Sequence, residues 1–118
     1  MQKKNIVYDK AYQFAISIVR TYRFLTKEKR EFLLSKQLIR SGTSIGANIA
    51  EANGAVSKAD FSNKVGIAYK ECLETKYWLS LLKDTDYIDN KSFEAIFTKA
   101  DEIGRILFSI IRTSKFDK

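Results

Sequence analysis

Residues 41–55 read SGTSIGANIAEANGA. Gly, Ser, Thr and Asn are poor helix formers, and Gly costs about 1 kcal/mol relative to Ala in a helix interior. Such a tract is either a flexible Gly-rich loop that cradles a ligand or a helix lying unusually close to a neighbour. The flanking pattern favours the helix. Leu38, Gly42, Ile45, Ile49, Ala52 and Val56 recur at alternating intervals of four and three, straight through the tract, and a loop has no reason to keep a helical period. A phosphate-binding loop is disfavoured as well. Gly46 is followed by Ala47 and Asn48 rather than by Lys and Ser/Thr, and no strand-like alternation precedes it.

Read as helix, Gly42, Gly46 and Ala50 stack one turn apart. They form a small-residue row that lets another backbone come close, a steric argument best known from membranes but valid in water. Beside it runs a polar stripe of Gln37, Ser41, Ser44, Asn48 and Glu51. Short polar side chains at a helical seam can satisfy one another, so an interfacial position is preferred to a solvated one. Whether the stripe faces the core or another subunit stays open at this level.

The same periodicity continues on both sides. Upstream, Val7, Ala11, Phe14, Ile18 and Leu25 mark one apolar row, with Tyr8, Tyr12, Ala15, Val19 and Tyr22 beside it, which predicts a helix buried over a wide arc. Downstream, Ser57 with Asp60 makes a shortened capping box. It leads into Phe61, Val65, Ala68, Cys72, Thr75, Leu79 and Leu82. The turn residues of KDTDYIDN end that helix. The last helix carries Phe93, Ile96, Ala100, Ile103, Leu107 and Ile110, with Phe97, Gly104, Phe108 and Ile111 adjacent. The pattern predicts an all-α fold in one domain spanning residues 1–118, with helices at about 7–25, 29–55, 58–83 and 90–114. Short connections make neighbours antiparallel, so the expected architecture is an up-down-up-down four-helix bundle. The chain of 118 residues has no proline, so few built-in breakers interrupt long helices.

Charge is unevenly distributed. The net +7 comes from 21 Lys and Arg against 14 Asp and Glu, and residues 1–40 carry all of the excess. In that third, Lys3, Lys4, Lys10, Arg20, Arg23, Lys27, Lys29, Arg30, Lys36 and Arg40 stand against Asp9, Glu28 and Glu31. A helical hairpin would gather Arg20, Arg23, Lys27, Lys29, Arg30, Lys36 and Arg40 near one end, where they could neutralise phosphates. The competing view is a solvated bundle end. The aromatics fall mainly on apolar rows, which favours packing over base stacking for Tyr22 and Phe24.

Catalytic chemistry finds little support. With no histidine in the chain, Cys72 lacks an activating base and is expected to be a small core residue. The Glu-x-x-His ligand set of ferritin-like bundles cannot be formed either. Neither a metal nor another cofactor is expected. Glu71 and Glu74 are expected to be ion-pair partners at an interface. MQKKNIVYDK has no apolar signal region, no span of about 18 apolar residues occurs, and the lone cysteine favours a cytoplasmic location. No membrane association is expected.

QLIRSGTSIGANIAEA at 37–52, followed by SKADFSNKVGIAYKECLETKYWLSLL at 57–82, resembles the bacterial four-helix-bundle family named after proteins encoded in intervening sequences of 23S ribosomal RNA. The most specific residues are the SIGANIAEA run and Ala68, Glu71, Glu74, Thr75, Tyr77, Trp78 and Leu79. Many relatives carry Pro and Gly where this chain has Gly46 and Ala52. The family includes the accessory variability determinant of diversity-generating retroelements. The resemblance implies a homo-oligomer, a pentamer, with a basic surface that engages nucleic acid and an adaptor role toward a partner protein.

The sequence therefore predicts a non-enzymatic oligomeric bundle that binds RNA or DNA through Arg20, Arg23, Lys27, Lys29, Arg30, Lys36 and Arg40. Ser41, Gly42, Ser44, Gly46, Asn48, Glu51, Glu71 and Glu74 are expected at helix-packing or subunit interfaces. The alternative is a structural or protein-interaction scaffold whose charge serves solubility.

Overall fold

The structure, a computed structural model, describes residues 4–116; Lys3 of the basic N-terminal third lies outside them. Four α-helices follow one another: α1 Lys4–Lys27, α2 Leu34–Asn53, α3 Lys58–Asp84 and α4 Asn90–Phe116. At about 1.5 Å per residue, the longest span close to 40 Å. They lie side by side in a body of 48 × 25 × 20 Å. Connections of a few residues force neighbours to run antiparallel, giving the expected four-helix bundle. The tightest pairing is α2 with α3, and the loosest is α1 with α4.

Most members of the apolar rows found by spacing form the core, while Phe61, Ile96 and Ile110 pack half-buried against it. Val7, Ala11, Phe14, Ile18, Leu25, Leu38, Ile45, Ile49, Ala52, Val65, Ala68, Cys72, Leu79, Leu82, Phe93, Ala100, Ile103 and Leu107 are all buried. Three expectations need correction. The second α1 row is marginal rather than buried, since Tyr12 is 54% exposed and Tyr8, Ala15, Val19 and Tyr22 are half-buried. Val56 extends the spacing but not the helix: α2 stops at Asn53 before Gly54, leaving Val56 92% exposed. Ala50, the third member of the small-residue row, is exposed as well.

The start of α2 also moves, from about 29 to Leu34. The residues of TKEKRE are acceptable helix formers, so nothing in their propensity announces a break. The turn is made by geometry instead. Arg30 takes a left-handed conformation (φ 55°), which reverses the chain after α1. The Glu31 carboxylate then accepts hydrogen bonds from the backbone N–H groups of Leu33, Leu34 and Ser35 at 3.2, 2.9 and 2.7 Å. The Ser35 hydroxyl donates back to the Glu31 carbonyl at 2.7 Å. A negative group on the first orphan donors of a helix is favoured both as a cap and by the helix dipole. It substitutes for the usual Ser, Thr, Asp or Asn.

Two other helix starts follow sequence rules. Ser57 accepts from the Asp60 N–H at 3.0 Å, as expected of the capping box, although Asp60 returns its carboxylate to Val56 N–H rather than to Ser57. Asp89 accepts from Ser92 N–H at 2.7 Å at the head of α4.

Candidate functional site

The small-residue tract is helical and lies against α1. A Cβ placed on Gly42 would stand 2.8 and 2.9 Å from the side chain of Ile18, which is fully buried and branched and so cannot swing away. Gly46 is less demanding: a Cβ there would meet Ala11 at 3.6 Å, an ordinary contact. The close approach inferred from the row is thus concentrated at Gly42.

Two members of the polar stripe, Ser41 and Glu51, bond to α3 of the same chain, whereas Ser44 and Asn48 bond to each other within α2. Ser41 is buried and shares a 3.1 Å hydrogen bond with the buried Thr75 hydroxyl. The Asn48 amide donates to the Ser44 carbonyl and hydroxyl one turn back at 2.9 and 3.0 Å. Glu51 pairs with Lys64 of α3 at 2.8 Å. Arg40 reaches Glu71 at 3.3 Å and also Glu74, and the Trp78 indole N–H donates to Glu74 at 2.9 Å. The Trp78 hydrogen bond, followed by that from Arg40, holds the Glu74 carboxyl below the usual carboxylate range. Glu71 and Glu74 are therefore ion-pair partners, of a cation on the adjoining helix of the same chain.

This placement separates Arg40 from the other six basic residues. Arg20, Arg23, Lys27, Lys29, Arg30 and Lys36 are exposed, as Arg40 is, but unlike Arg40 none has a carboxylate within ion-pair distance among the described residues. Arg20, Arg23 and Lys27 lie on the last turns of α1, Lys29 and Arg30 stand in the turn, and Lys36 lies in the first turn of α2. The hairpin brings them to one end of the bundle.

That end is not uniformly positive. The antiparallel order also delivers the α3–α4 turn there, with exposed Asp84, Asp86 and Asp89. Asp86 adopts a left-handed conformation (φ 69°), and Tyr87 N–H closes onto the Leu82 carbonyl at 2.9 Å, ending α3 in a Schellman arrangement. Backbone donation from Ser92 is the main reason the Asp89 carboxyl is depressed, with a smaller contribution from Lys29. Between the two turns, a groove along the α1–α4 seam is lined by Arg20, Thr21 and Phe24 on one side and Ile88, Asp89, Ser92, Ala95 and Ile96 on the other.

Aromatic side chains mark the basic turn in a way the sequence pattern did not anticipate. Phe24 is 42% and Phe32 52% exposed, and Leu33 beside it is 80% exposed, whereas Tyr22 is half-buried. Lys29 Nζ lies 5.9 Å from the Phe24 ring centre, and the Arg30 guanidinium carbon lies 5.5 Å from that of Phe32. Spacing assigned Phe24 to packing because it adjoins an apolar row. The available signal was that Phe32 and Leu33 fit no row at all.

Cys72 is buried, and its thiol donates to the Ala100 carbonyl at 3.1 Å. Burial pushes its pKa up to about 11, which is the opposite of nucleophile activation. No cluster of three His, Cys, Asp or Glu residues suited to a metal occurs among the described residues. No described helix is long and apolar enough to cross a membrane.

The sequence profile described as 23S rRNA-intervening sequence protein matches residues 3–109 of this chain. A crystal structure from Bacteroides thetaiotaomicron VPI-5482, described as a protein with unknown function from the S23 ribosomal protein family, is 54% identical and superposes with a TM-score of 0.93. The match covers 95% of this chain and 100% of that one. No curated protein matches significantly.

Proposed function

The chain belongs to the 23S rRNA-intervening sequence protein family, and from that premise and the geometry above we propose that it is a non-enzymatic, cytoplasmic bundle protein that binds RNA or DNA through the α1–α2 end. The observation that carries this reading is the set of six exposed cations, Arg20, Arg23, Lys27, Lys29, Arg30 and Lys36, that have no carboxylate partner among the described residues. Unpaired cations on one surface supply counterion release on meeting a phosphate backbone. Phosphate contacts orient a protein without reading bases, so binding is non-specific in sequence. Arg40 supports helix packing in this reading and is withdrawn from the nucleic-acid surface.

Self-assembly into a homo-oligomer, a pentamer in the family reading, is the second part of the proposal. It is supported by an uncharged outer strip formed by Tyr12, Ala15 and Val19 of α1 with Thr43, Ala47 and Ala50 of α2, all exposed or half-exposed. Repeating a weak basic patch around such an assembly would raise avidity without new contact types. An adaptor role toward a protein partner is compatible with this arrangement.

Anisotropy titration of a structured RNA at several salt concentrations tests the binding. Affinity should fall steeply with salt, with a log-log slope of several units. Absence of binding at low salt, or a slope near zero, leaves the scaffold alternative. Light scattering after size exclusion tests assembly, and a clean 13.6 kDa species removes it.

A further inference from the structure

We infer that the α1–α2 end grips unpaired, single-stranded nucleic acid, with Phe24 and Phe32 serving as stacking platforms for bases and the surrounding cations holding the adjoining phosphates. The inference rests on the nucleic-acid reading and adds the class of substrate.

Phe24 and Phe32 are large apolar side chains left about half in water, within a set of cations that includes Lys29 and Arg30 set over their rings. A cation near a ring leaves the ring's remaining surface available for stacking, and the same cation can reach a neighbouring phosphate. Aromatic platforms interleaved with basic groups are the chemistry of single-strand binding, because every base presents a π-face once it is unstacked. A continuous duplex keeps its bases stacked on each other and offers only backbone and groove edges, so exposed Phe rings gain little from it.

The turn is also preorganised. Phe32 sits between Arg30, locked in the left-handed region, and the residues whose N–H groups are held by the buried Glu31 carboxylate. With the backbone pinned on both sides, Phe32 is displayed outward, and little ordering cost is left for binding. Phe24 lines the α1–α4 groove, where Ile88, Ala95 and Ile96 offer apolar surface next to Arg20 and Ser92, with the Asp89 carboxylate also on that lining. A splayed base beside Phe24 would meet that surface, while Arg20 and Lys29 flank it.

The full chain is titrated with an unstructured RNA strand and with the same strand annealed to its complement, at equal low salt. The strand should bind at least about tenfold tighter than the duplex. Phe24→Leu and Phe32→Leu should each weaken strand binding about tenfold, with duplex binding and the melting curve unchanged, and Phe32→Trp should retain affinity. Equal strand and duplex affinities, or Leu variants that bind the strand as well as the parent, overturn the inference while the nucleic-acid reading stands. Binding of neither form at low salt removes both. A change of oligomer size in Phe32→Leu with strand affinity intact assigns the turn to protein contact and overturns the inference.

Discussion

Along the α2–α3 seam Arg40 sits against Glu71 and Glu74, and Lys64 against Glu51. Around the α1–α2 turn, Arg20, Arg23, Lys27, Lys29 and Arg30 have no such partner among the described residues. All these cations look alike in the sequence, and Arg40 is only ten residues from Arg30. The difference shows that net charge and available charge are separate quantities. A cation paired across a seam helps register two helices and contributes little to the outer field, whereas an unpaired one at a turn remains open to a phosphate. The aromatic residues divide the same way: Trp78 is tied into the seam through Glu74, while Phe32 is held outward.

Replacing Arg20, Arg23, Lys27 and Arg30 together with Gln should produce the largest effect, a loss on the order of hundredfold in affinity for RNA at low salt and a shallower salt slope. Assembly should be unaffected. Arg40→Gln is the matching control, expected to leave RNA binding nearly unchanged. If the two variants lose affinity equally, the distinction between seam and turn is wrong.

Gly42→Leu should cost about 1–3 kcal/mol by overpacking against Ile18, read as a lower denaturation midpoint. Gly46→Leu should fall in the same range, because the added atoms must pass Ala11. Gly46→Ala should be neutral or stabilising by up to about 1 kcal/mol, since its Cβ has room. A Gly42→Ala protein as stable as Gly46→Ala would show that α1 can retreat.

Glu31→Ala should cost about 1–2 kcal/mol through the lost cap and should also loosen the turn that displays Phe32. Hydrogen exchange at Leu33, Leu34 and Ser35 would report it directly. Arg40→Gln should cost at most about 1 kcal/mol, as expected for a largely solvent-exposed pair.

The smallest effects concern pH. Glu74 is depressed first by Trp78 and then by Arg40, and Asp101 is depressed chiefly by its hydrogen bond from Lys76. A lowered folded-state pKa contributes stability above the unfolded carboxylate range of about 4, and that contribution is lost as pH falls through the folded value. Melting temperature should therefore be insensitive to these groups from about pH 5 to 8 and should decline below about pH 4. Cys72 has the opposite sign. Its contribution is complete below about pH 8.5 and is lost as pH rises toward 11. Thiol labelling at neutral pH should be slow until the protein unfolds.

The helical class, the core rows and the cap at Ser57 were legible in the sequence because they depend on residues three or four apart, a spacing that backbone geometry turns directly into a common face. Even the glycine tract yielded, since its apolar period continued through it. The limits of the rows were less legible. Val56 keeps the spacing after the helix has ended, and the Tyr12 row has the right period but is only partly covered. The α2 start was hidden because a Glu carboxylate, positioned by a left-handed Arg30, did the work of an ordinary cap.

By itself, then, the amino-acid order determined that four helices would form, most of the residues they would bury, and where the excess positive charge would lie along the chain. Only the tertiary structure decided which polar groups meet. Arg40 finds Glu71 and Glu74 across a seam 31 and 34 residues away in sequence, and the Asp-rich α3–α4 turn arrives at the basic end because antiparallel packing puts it there. The physical reason is range: helical periodicity is a property of neighbouring residues, whereas ion pairing and exposure depend on groups brought together by the packing of distant segments.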